Sequence, residues 1–455
     1  MFDRLDLLIR EGRDGMVDAL TGLLAIPSCK GEPEPGAPFG LDTRRSLDYV
    51  VSLGSAMGFH TASIDGMAGF IEFGTGLRMV AALGHLDVVP PGDGWTGDPF
   101  VPVIDIEGKV IARGAIDDKG PVIACLFAMK ALRDAGFVLP SRVRLILGLD
   151  EESGSACMER YVRTEEIPDA GFTPDADFPA IYAEKGIMHL AFRYDAGNPG
   201  DGKPHRDTIA MQGGVRANVV PSRCTLKIHE GSSGTYEHVF SGIPAHGSTP
   251  EQGDNAISHA MEEAGSRLSS LGFRHPLVDF FNRKIGYETD GTSAGVAFSD
   301  EPSGALTLNA GIIVLDGIHA ELTVDIRYPV TMDRENLLSR LRASADPYGV
   351  TLTVLHAQHP LHVDPSSPMI QTLTGIYRDV TGRNEPPVAI GGGTYARSMP
   401  NIVAFGPNIG GDPEMAHKAD EYITIDRMET CARIYARAFV ALSAQVVGAD
   451  REGVQ

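Results

Sequence analysis

Cysteine is scarce in this chain, and the cysteines that are present show no pairing pattern. Five occur among 455 residues, an odd number, and no two of them have CxxC spacing. A disulfide framework would need an even set at regular spacings, so the pattern predicts reduced thiols in a cytoplasmic protein. Most of these cysteines stand in apolar or mixed segments, where a buried structural thiol is the expected role.

Positive charge and long apolar runs are also missing. The chain has 39 Lys and Arg against 60 Asp and Glu, a formal net charge of −21, which argues against a nucleic-acid partner. No apolar segment approaches the length needed to cross a membrane. The first twenty residues mix acids and bases at helical spacing, so they do not resemble a secretory signal. We therefore expect no membrane partner.

The chain has the material for more than one domain. Its length and its 43% of hydrophobic residues suffice for two or three cores. Helical and strand patterns alternate in the first part, with an amphipathic segment near Leu7 to Leu24 and strands near Met79 to Leu83 and Val143 to Leu149, which predicts an α/β layer. From about Lys185 the pattern changes to alternating strands, as in "CTLKIHE" and "ELTVDIRYP", typical of an α+β domain. Amphipathic helices return after about residue 370.

Polar residues follow the predicted strands where the strands end. In "GHLDVVP" His85 and Asp87 are two residues apart, so in extended backbone they point to the same side. Taken alone, Asp87 could simply orient a histidine at the end of a strand. Asp150, Glu151 and Glu152 follow the next strand. Ligands in open α/β sheets collect beyond the carboxyl ends of strands, so two acidic groups there carry weight.

Five groups of histidine and carboxylate residues stand out: His85 with Asp87, Asp117 with Asp118, Glu151 with Glu152, Asp175, and His417. A single acidic pair is more often solvated surface. Histidine and carboxylate ligands without cysteine suit divalent metals that act as Lewis acids. Two such ions about 3.5–4 Å apart need a bridging carboxylate and hold a nucleophilic water between them. The five groups contain the histidine and carboxylate residues that such a pair of ions needs, including a carboxylate that could bridge them.

The contexts of these groups resemble a known family. "GHLDVVPPGDGWTGDPF", "ARGAIDDKGP", "DEESG", "GFTPDADFPAIYAEKG", "GGGTYAR" and "MAHKADEY" occur in this order along nearly the whole chain. Together they resemble the aminoacylase and glutamate carboxypeptidase family of two-metal metallopeptidases, and most of all its PepV-type bacterial dipeptidases, which are related to carnosinases. The resemblance implies a mixed-sheet, helix-flanked catalytic domain formed by residues 1–184 and 369–455, with an inserted α+β lid domain formed by residues 185–368.

The resemblance also implies roles for the residues of the catalytic domain. His85 and Asp175 would hold one metal, Glu152 and His417 the other, and Asp117 would bridge both. Asp87 would accept the second ring N–H of His85 and fix its tautomer. Glu151 would be the general base and then the general acid. Asp117 and Asp118 are expected to be joined by a cis peptide bond.

Five further residues are implied in substrate binding. His246 in "GIPAHGSTPEQGDNAI" would polarise the scissile carbonyl, and Asn218 and Arg327 would hold the substrate carboxylate. Gly393 and Thr394 lie in the glycine-rich "GGGTYARS", whose amide groups could approach an anion. Taken alone, His246 would be a turn histidine and the glycine-rich stretch a flexible loop.

The implied function is a metal-dependent dipeptidase. It would hydrolyse short peptides with a free C-terminal carboxylate, using a metal-bridged water that Glu151 activates. Two alternatives stay open: a deacylase of N-acyl amino acids in the same family, and a non-catalytic binding protein that keeps the fold. Zinc is the expected metal, with manganese or cobalt also compatible. We expect a monomer, because residues 185–368 are long enough for an enlarged lid that reaches its own site.

Overall fold

Two compact units are found in the described part of the chain. The structure is a computed structural model that describes residues 2–195, 209–230, 234–317 and 319–452. Unit 1 runs up to Tyr182 and takes in Val363–Val388 and the chain from Thr394, and unit 2 takes in Ala183–His362 and Ala389–Gly393. The predicted boundaries at 184/185 and 368/369 differ from this division. The assignment of catalytic and lid domains stays a prediction.

Helices and strands alternate in the first part of the chain, and strands become more frequent from residue 170 onward. The helices are α1 (Phe2–Glu11), α2 (Arg13–Leu24), α3 (Leu41–Ala56), α4 (Lys119–Asp134), α5 (Ala156–Thr164), α6 (Ala256–Ser270), α7 (Pro276–Lys284), α8 (Arg334–Ala345), α9 (Pro368–Thr381) and α10 (Ile425–Glu452). The strands are β1 (His60–Ile64), β2 (Ala68–Phe73), β3 (Met79–His85), β4 (Val103–Ile104), β5 (Lys109–Ile111), β6 (Arg142–Gly148), β7 (Ala170–Thr173), β8 (Ala176–Asp177), β9 (Ile181–Glu184), β10 (Gly186–Asp195), β11 (Ile209–Gly213), β12 (Arg223–His229), β13 (Thr235–Ser241), β14 (Ser299–Asp300), β15 (Gly304–Ala305), β16 (Thr307–Leu315), β17 (His319–Tyr328), β18 (Thr351–Gln358), β19 (Leu361–His362), β20 (Val388–Ile390), β21 (Ile402–Ala404), β22 (Pro407–Asn408) and β23 (Tyr422–Thr424).

Unit 1 is built on a mixed sheet. Its strands lie in the order β1-β2-β6-β3-β7-β21-β9. The inner strands β6, β3, β7 and β21 are parallel, and β2 and β9 join them in antiparallel fashion. Helices α4 and α10 pack on β3, and α3 and α5 pack on β2. The predicted mixed-sheet, helix-flanked architecture is confirmed.

The sequence of the central strand β3 fits its position in the sheet. All residues of β3, "MVAALGH", are buried, as expected for a parallel strand covered on both faces. The helix between β3 and β6 is α4. It begins at Lys119, and Gly136, with φ of 78°, follows its end in the left-handed region that favours glycine. The amphipathic segment predicted near Leu7 to Leu24 forms two helices, α1 and α2, that meet at Gly12.

Unit 2 is an antiparallel sheet with helices, as predicted for an α+β domain. Its strands lie in the order β13-β12-β11-β16-β17-β10-β18. Helix α6 packs on β12 and β16, α7 on β10, and α8 on β18. Alternate residues of β12 are buried, so one face of that strand meets the core. The core includes Leu226, Ile257, Phe281 and Val324.

Two further expectations concern thiols and membranes. The five cysteines are free thiols, four of them buried and Cys29 partly exposed. Among the described residues, no helix combines the length and the apolar character that a membrane crossing would require.

Candidate active site

Parallel strands bring three of the predicted residue groups to one edge of the unit 1 sheet. His85 is the last residue of β3, Glu151 and Glu152 follow β6, and Asp175 follows β7. Because β6, β3 and β7 are adjacent and parallel, their carboxyl ends meet at the same edge. Side chains that are far apart in the chain therefore come together there.

The first group of ligand atoms is formed by His85, Asp117 and Asp175. His85 Nε2 lies 2.9 Å from Asp117 Oδ1 and 3.6 Å from Asp175 Oδ2. Asp117 stands just before α4, and the expected cis peptide bond between Asp117 and Asp118 is confirmed. The Asp118 carboxylate accepts the backbone N–H of His85 at 3.1 Å.

The second group contains Asp117 again, with Glu152 and His417. His417 Nε2 lies 3.0 Å from Asp117 Oδ2 and 3.1 Å from Glu152 Oε2. His417 has φ of 64°, a left-handed conformation that a residue with a side chain rarely adopts, and such conformations concentrate at functional sites. Asp117 thus offers one oxygen to each group, which is the geometry of a bridging carboxylate.

The donor chemistry and the electrostatics of these residues fit two divalent cations. Within each group all ligand atoms lie within 4.8 Å of one another. Burial and the charge of Asp117 raise the pKa of Asp175 to about 7, and the same two causes raise the pKa of Glu152. Burial alone would lower the pKa of His417, but hydrogen bonds to Asp117 and Glu152 raise it to about 11. Such shifts mark an excess of negative potential, which cations would neutralise.

Asp87 orients two parts of the site. Its backbone carbonyl accepts a hydrogen bond from His85 Nδ1 at 2.9 Å, which leaves Nε2 as the ligand atom. Its carboxylate is 3.6 Å from the same nitrogen and accepts the backbone N–H groups of Glu151 and Glu152, each at 3.1 Å. The predicted contact with His85 is therefore made mainly by the main chain, and the carboxylate also holds the turn that carries both glutamates.

Glu151 differs from its neighbour Glu152. Its carboxylate belongs to neither group of ligand atoms, although the residue follows the same strand. Burial, followed by the charge of Asp175, raises the pKa of Glu151 well above its ordinary value. A carboxylate with a raised pKa beside a cluster of donors is suited to accept and return a proton.

Two of the residues predicted to bind substrate, His246 and Asn218, lie close together in unit 2. The backbone N–H of Gly247 donates to the carbonyl of Asn218 at 2.7 Å, so His246 and Asn218 lie on adjoining segments. His246 Nδ1 accepts the backbone N–H of Ser248 at 3.3 Å and lies 2.6 Å from its hydroxyl. Because a backbone N–H can only donate, the proton of the neutral ring is placed on Nε2, which is then a donor.

Arg327 is buried and held by a carboxylate. Its Nε lies 2.9 and 3.0 Å from the two oxygens of Asp325, and Nη2 also contacts Asp325 at 2.9 Å. Its Nη1 donates to the carbonyl of Gly391 at 3.3 Å. The predicted glycine-rich contact is divided: Gly393 belongs to unit 2 and Thr394 to unit 1, where the Thr394 hydroxyl accepts the N–H of Ala396.

Sequence reasoning missed several residues that hold the site in place. Asp325 precedes Arg327 by two positions in β17, and this same-face spacing could have revealed it. Asp150, at the start of the turn "DEES", accepts hydrogen bonds from Lys30 and Ser153, each at 2.7 Å. Glu421 lies within the quoted motif "MAHKADEY", yet its contacts are to distant parts of the chain, so no local spacing pointed to a role.

The sequence of the chain is similar to the sequences of known proteins. The sequence model of peptidase family M20/M25/M40 matches residues 81–441. The Bacillus subtilis (strain 168) protein named "Putative dipeptidase YtjP" is 38% identical over 436 residues, which cover 90% of this chain and 92% of that protein. A Staphylococcus haemolyticus (strain JCSC1435) protein with the same type of name, SH1171, is 34% identical, and the match covers 95% of this chain and 98% of that protein.

Solved structures share the fold at low sequence identity. The di-peptidase Dug1p from Saccharomyces cerevisiae has a TM-score of 0.65 at 16% identity, and the match covers 98% of this chain and 99% of that one. Human carnosine dipeptidase 1 has a TM-score of 0.62 at 16% identity, with 98% of this chain and 100% of that chain covered.

Proposed function

Because the chain belongs to peptidase family M20/M25/M40, a family of metal-dependent peptidases, we propose that it is a dipeptidase that cleaves dipeptides with a free C-terminal carboxylate. The observation that carries the proposal is the position of Asp117, whose two carboxylate oxygens face two separate groups of imidazole and carboxylate donors. Relatives at 38% and 34% identity whose names include dipeptidase support the same substrate class.

The proposed ligands are His85, Asp117 and Asp175 for one ion, and Asp117, Glu152 and His417 for the other. Zinc is the proposed metal, and manganese or cobalt would accept the same donors. When bound, such a pair of ions acts as a Lewis acid and lowers the pKa of water. The mixture of imidazole and carboxylate donors supports this assignment.

Glu151 is the proposed general base. Its side chain takes a proton from the attacking water and then delivers that proton to the nitrogen of the departing amine, so one group serves both steps. The turn amides held by Asp87 fix the position of its backbone. The raised pKa favours the protonated form of Glu151, which supports its proposed role in returning the proton.

Unit 2 is proposed to hold the substrate. His246 Nε2, which carries the ring proton, would donate to the scissile carbonyl oxygen as negative charge develops there. Asn218 and Arg327 would bind the C-terminal carboxylate. Asp325 keeps Arg327 in a fixed orientation, which favours planar recognition of a carboxylate. Gly393 and Thr394 are proposed as additional substrate contacts.

The test compares four substrates with the same metal-loaded protein: a dipeptide, its C-terminal amide, its N-acetyl form and a tripeptide. Since Asp325 stays paired with Arg327 when the substrate carboxylate is missing, the amide should lose about 1.5–3 kcal/mol of binding in the transition state, or about 10–150-fold in kcat/KM. The tripeptide should also react more slowly, because the carboxylate fixes the position of cleavage.

The outcomes separate the alternatives. Equal kcat/KM for the dipeptide and its amide would contradict the role of Arg327 and Asn218. A preference for the N-acetyl form would identify a deacylase of N-acyl amino acids. Absence of hydrolysis with zinc, manganese and cobalt would identify a binding protein that keeps the fold.

The proposal also includes the location and the oligomeric state of the protein. We propose a cytoplasmic location, which the free cysteines support. We also propose a monomer that uses only its own residues for substrate binding. The length of the segment from Ala183 to His362 in unit 2 supports that state.

A further inference from the structure

The side chain of Glu421 makes three hydrogen bonds that connect distant parts of unit 1, and its backbone carbonyl accepts the N–H of Ala112 at 3.0 Å. Its Oε1 accepts the backbone N–H groups of Ile116 and Asp117, at 3.0 and 3.2 Å. Its Oε2 accepts a hydrogen bond from Arg113 Nη1 at 2.6 Å. The side chain is fully buried. A single carboxylate therefore holds the backbone on the N-terminal side of the cis peptide bond that follows Asp117.

Arg113 is fixed from its other side. Its Nη2 donates to the carbonyl of Pro91 at 3.0 Å, and its guanidinium lies 5.2 Å from the centre of the Trp95 ring. Within the described residues, its Nε is buried without a hydrogen-bond partner. A buried ion pair with an unsatisfied donor is a poor source of stability, because the desolvation of both charges offsets their attraction. This arrangement favours a role in orientation.

The same segment also carries His417, four residues before Glu421. A second connection supports this loop: Asp420 accepts the backbone N–H and the hydroxyl of Thr96, at 2.9 and 2.7 Å. The segment from His417 to Glu421 is therefore tied both to the loop that contains Asp117 and to the loop that contains Thr96. Movement of Glu421 would change the spacing of two proposed ligands together.

We propose that Glu421 is a positioning residue for the metal site: it sets the backbone of Asp117, and Arg113 keeps the Glu421 carboxylate oriented toward the two amides. This inference rests on the proposed ligand role of Asp117. The groups that orient metal ligands typically change metal affinity about 10–100-fold when they are replaced.

The test compares variants that differ in the hydrogen-bond acceptor and not in charge. The double variant Arg113→Met with Glu421→Gln has a glutamine whose amide oxygen can accept the backbone N–H groups of Ile116 and Asp117. The amino group of this glutamine no longer lies beside an arginine. Arg113→Met with Glu421→Leu has the same net charge and no acceptor. Zn²⁺ affinity is measured on chelator-treated protein by competition with a chromogenic chelator. We expect the leucine variant to bind Zn²⁺ about 10–100-fold more weakly than the glutamine variant. Equal affinities would overturn the inference.

A third variant covers the case in which the leucine variant does not fold. In Glu421→Gln alone, Arg113 attracts the amide oxygen and turns the amino group toward two backbone donors. We expect Zn²⁺ affinity to fall in this variant and to recover when Arg113→Met is added. No recovery would also overturn the inference, because the side chain at position 421 is the same in both proteins.

Two controls separate positioning from general destabilisation and from failure of the proposed function. The pair of Glu72, which is partly buried, and Arg144, which is buried, has Oε2 and Nη2 2.7 Å apart and lies on β2 and β6. Matching Glu72→Leu and Arg144→Met changes also remove the partner of Arg142 and the hydrogen bond to Tyr161, so they should lower the melting temperature and leave Zn²⁺ affinity unchanged. If Asp117→Asn binds Zn²⁺ as tightly as the unaltered protein, the ligand assignment itself fails. If only Asp117→Asn loses Zn²⁺ and the Glu421 variants do not differ, the positioning role alone fails.

Discussion

Glu151 and Glu152 show how adjacent side chains of the same type receive different roles. Both backbone N–H groups donate to the carboxylate of Asp87, so the turn presents the two side chains in fixed directions. Only the carboxylate of Glu152 lies beside His417, at 3.1 Å from its Nε2. The chemistry proposed for each residue therefore follows from where its side chain points.

The Glu151→Gln change tests this difference. Glutamine keeps the size of the side chain and cannot accept the proton, so we expect kcat to fall by about 10²–10⁴-fold. Metal content should stay near that of the unaltered protein, because Glu151 is outside both groups of ligand atoms. Elemental analysis and kcat are measured on the same preparation. Loss of metal together with activity would instead make Glu151 a structural residue.

Asp117→Asn should have the opposite effect. Asp117 contacts both His85 and His417, and its replacement removes the one carboxylate shared by the two groups. We expect loss of metal from both sites, measured by elemental analysis after dialysis, with loss of activity as a consequence. Asp118→Asn is the matched comparison, since Asp118 belongs to neither group. Retention of two metals per chain in Asp117→Asn would contradict the bridging role.

Strand β7 has no room for a side chain at Gly171. A Cβ atom added at Gly171 would lie 2.2 Å from the carbonyl oxygen of Ala81 and 2.8 Å from Cδ1 of Ile402. Neighbouring backbone would have to move to make room. Asp175 follows this strand, so a shift of β7 reaches the proposed metal site.

We therefore expect Gly171→Ala to destabilise the protein by about 1–3 kcal/mol, as overpacking does, and to weaken Zn²⁺ binding. Gly375→Ala in α9 is the control: its Cβ would meet only the end of the Arg378 side chain at 3.8 Å. Alanine is the better helix former by about 1 kcal/mol, so this control should raise the melting temperature. Calorimetry measures both. A melting temperature for Gly171→Ala equal to that of the unaltered protein would contradict the packing argument.

Helix α7 begins next to a buried histidine, His275. Both ring nitrogens of His275 are buried without a hydrogen-bond partner in the described residues, and burial lowers its pKa to about 4. An unfolded histidine has a pKa of about 6.5. Between these values the unfolded chain binds a proton that the folded chain does not. Stability therefore falls as the pH falls through this window.

We expect His275 to contribute a loss of about 2 kcal/mol between pH 7 and pH 5. His275→Leu should reduce the pH dependence of the free energy of unfolding by that amount, and His359→Leu, at an exposed histidine, should not. Calorimetry at the two pH values is the measurement. The same pH dependence in His275→Leu and the unaltered protein would contradict the assignment.

At the level of the whole molecule we predict a monomer. If substrate binding uses Asn218, His246 and Arg327 of the same chain, activity needs no second copy. Light scattering should give the mass of one chain, 48.5 kDa. A mixture of inactive Glu151→Gln and His246→Ala proteins should stay inactive. A stable dimer whose mixture regains activity would contradict the prediction.

Much of the fold follows from patterns in the chain, because they are local. The buried run of β3 and the alternation in β12 each identify a strand and its environment. The boundary of the predicted lid is different. Residues 363–368 belong to unit 1 and Ala389–Gly393 to unit 2, because those short segments join a unit through contacts with distant strands. Local sequence patterns do not reveal such contacts.

The types of ligand residue and their order along the chain are evident without a structure. Histidine and carboxylate residues at the ends of strands specify hard and borderline metal ligands, whatever the details of the fold. How the site is held depends on tertiary contacts that local spacing does not show: Glu421 with Arg113, 308 positions apart, and the Asp87 carboxylate with the backbone of Glu151 and Glu152, 64 and 65 positions away. Orientation depends on which backbone and side-chain groups meet after folding, and residues so far apart share no periodic pattern that could reveal the contact.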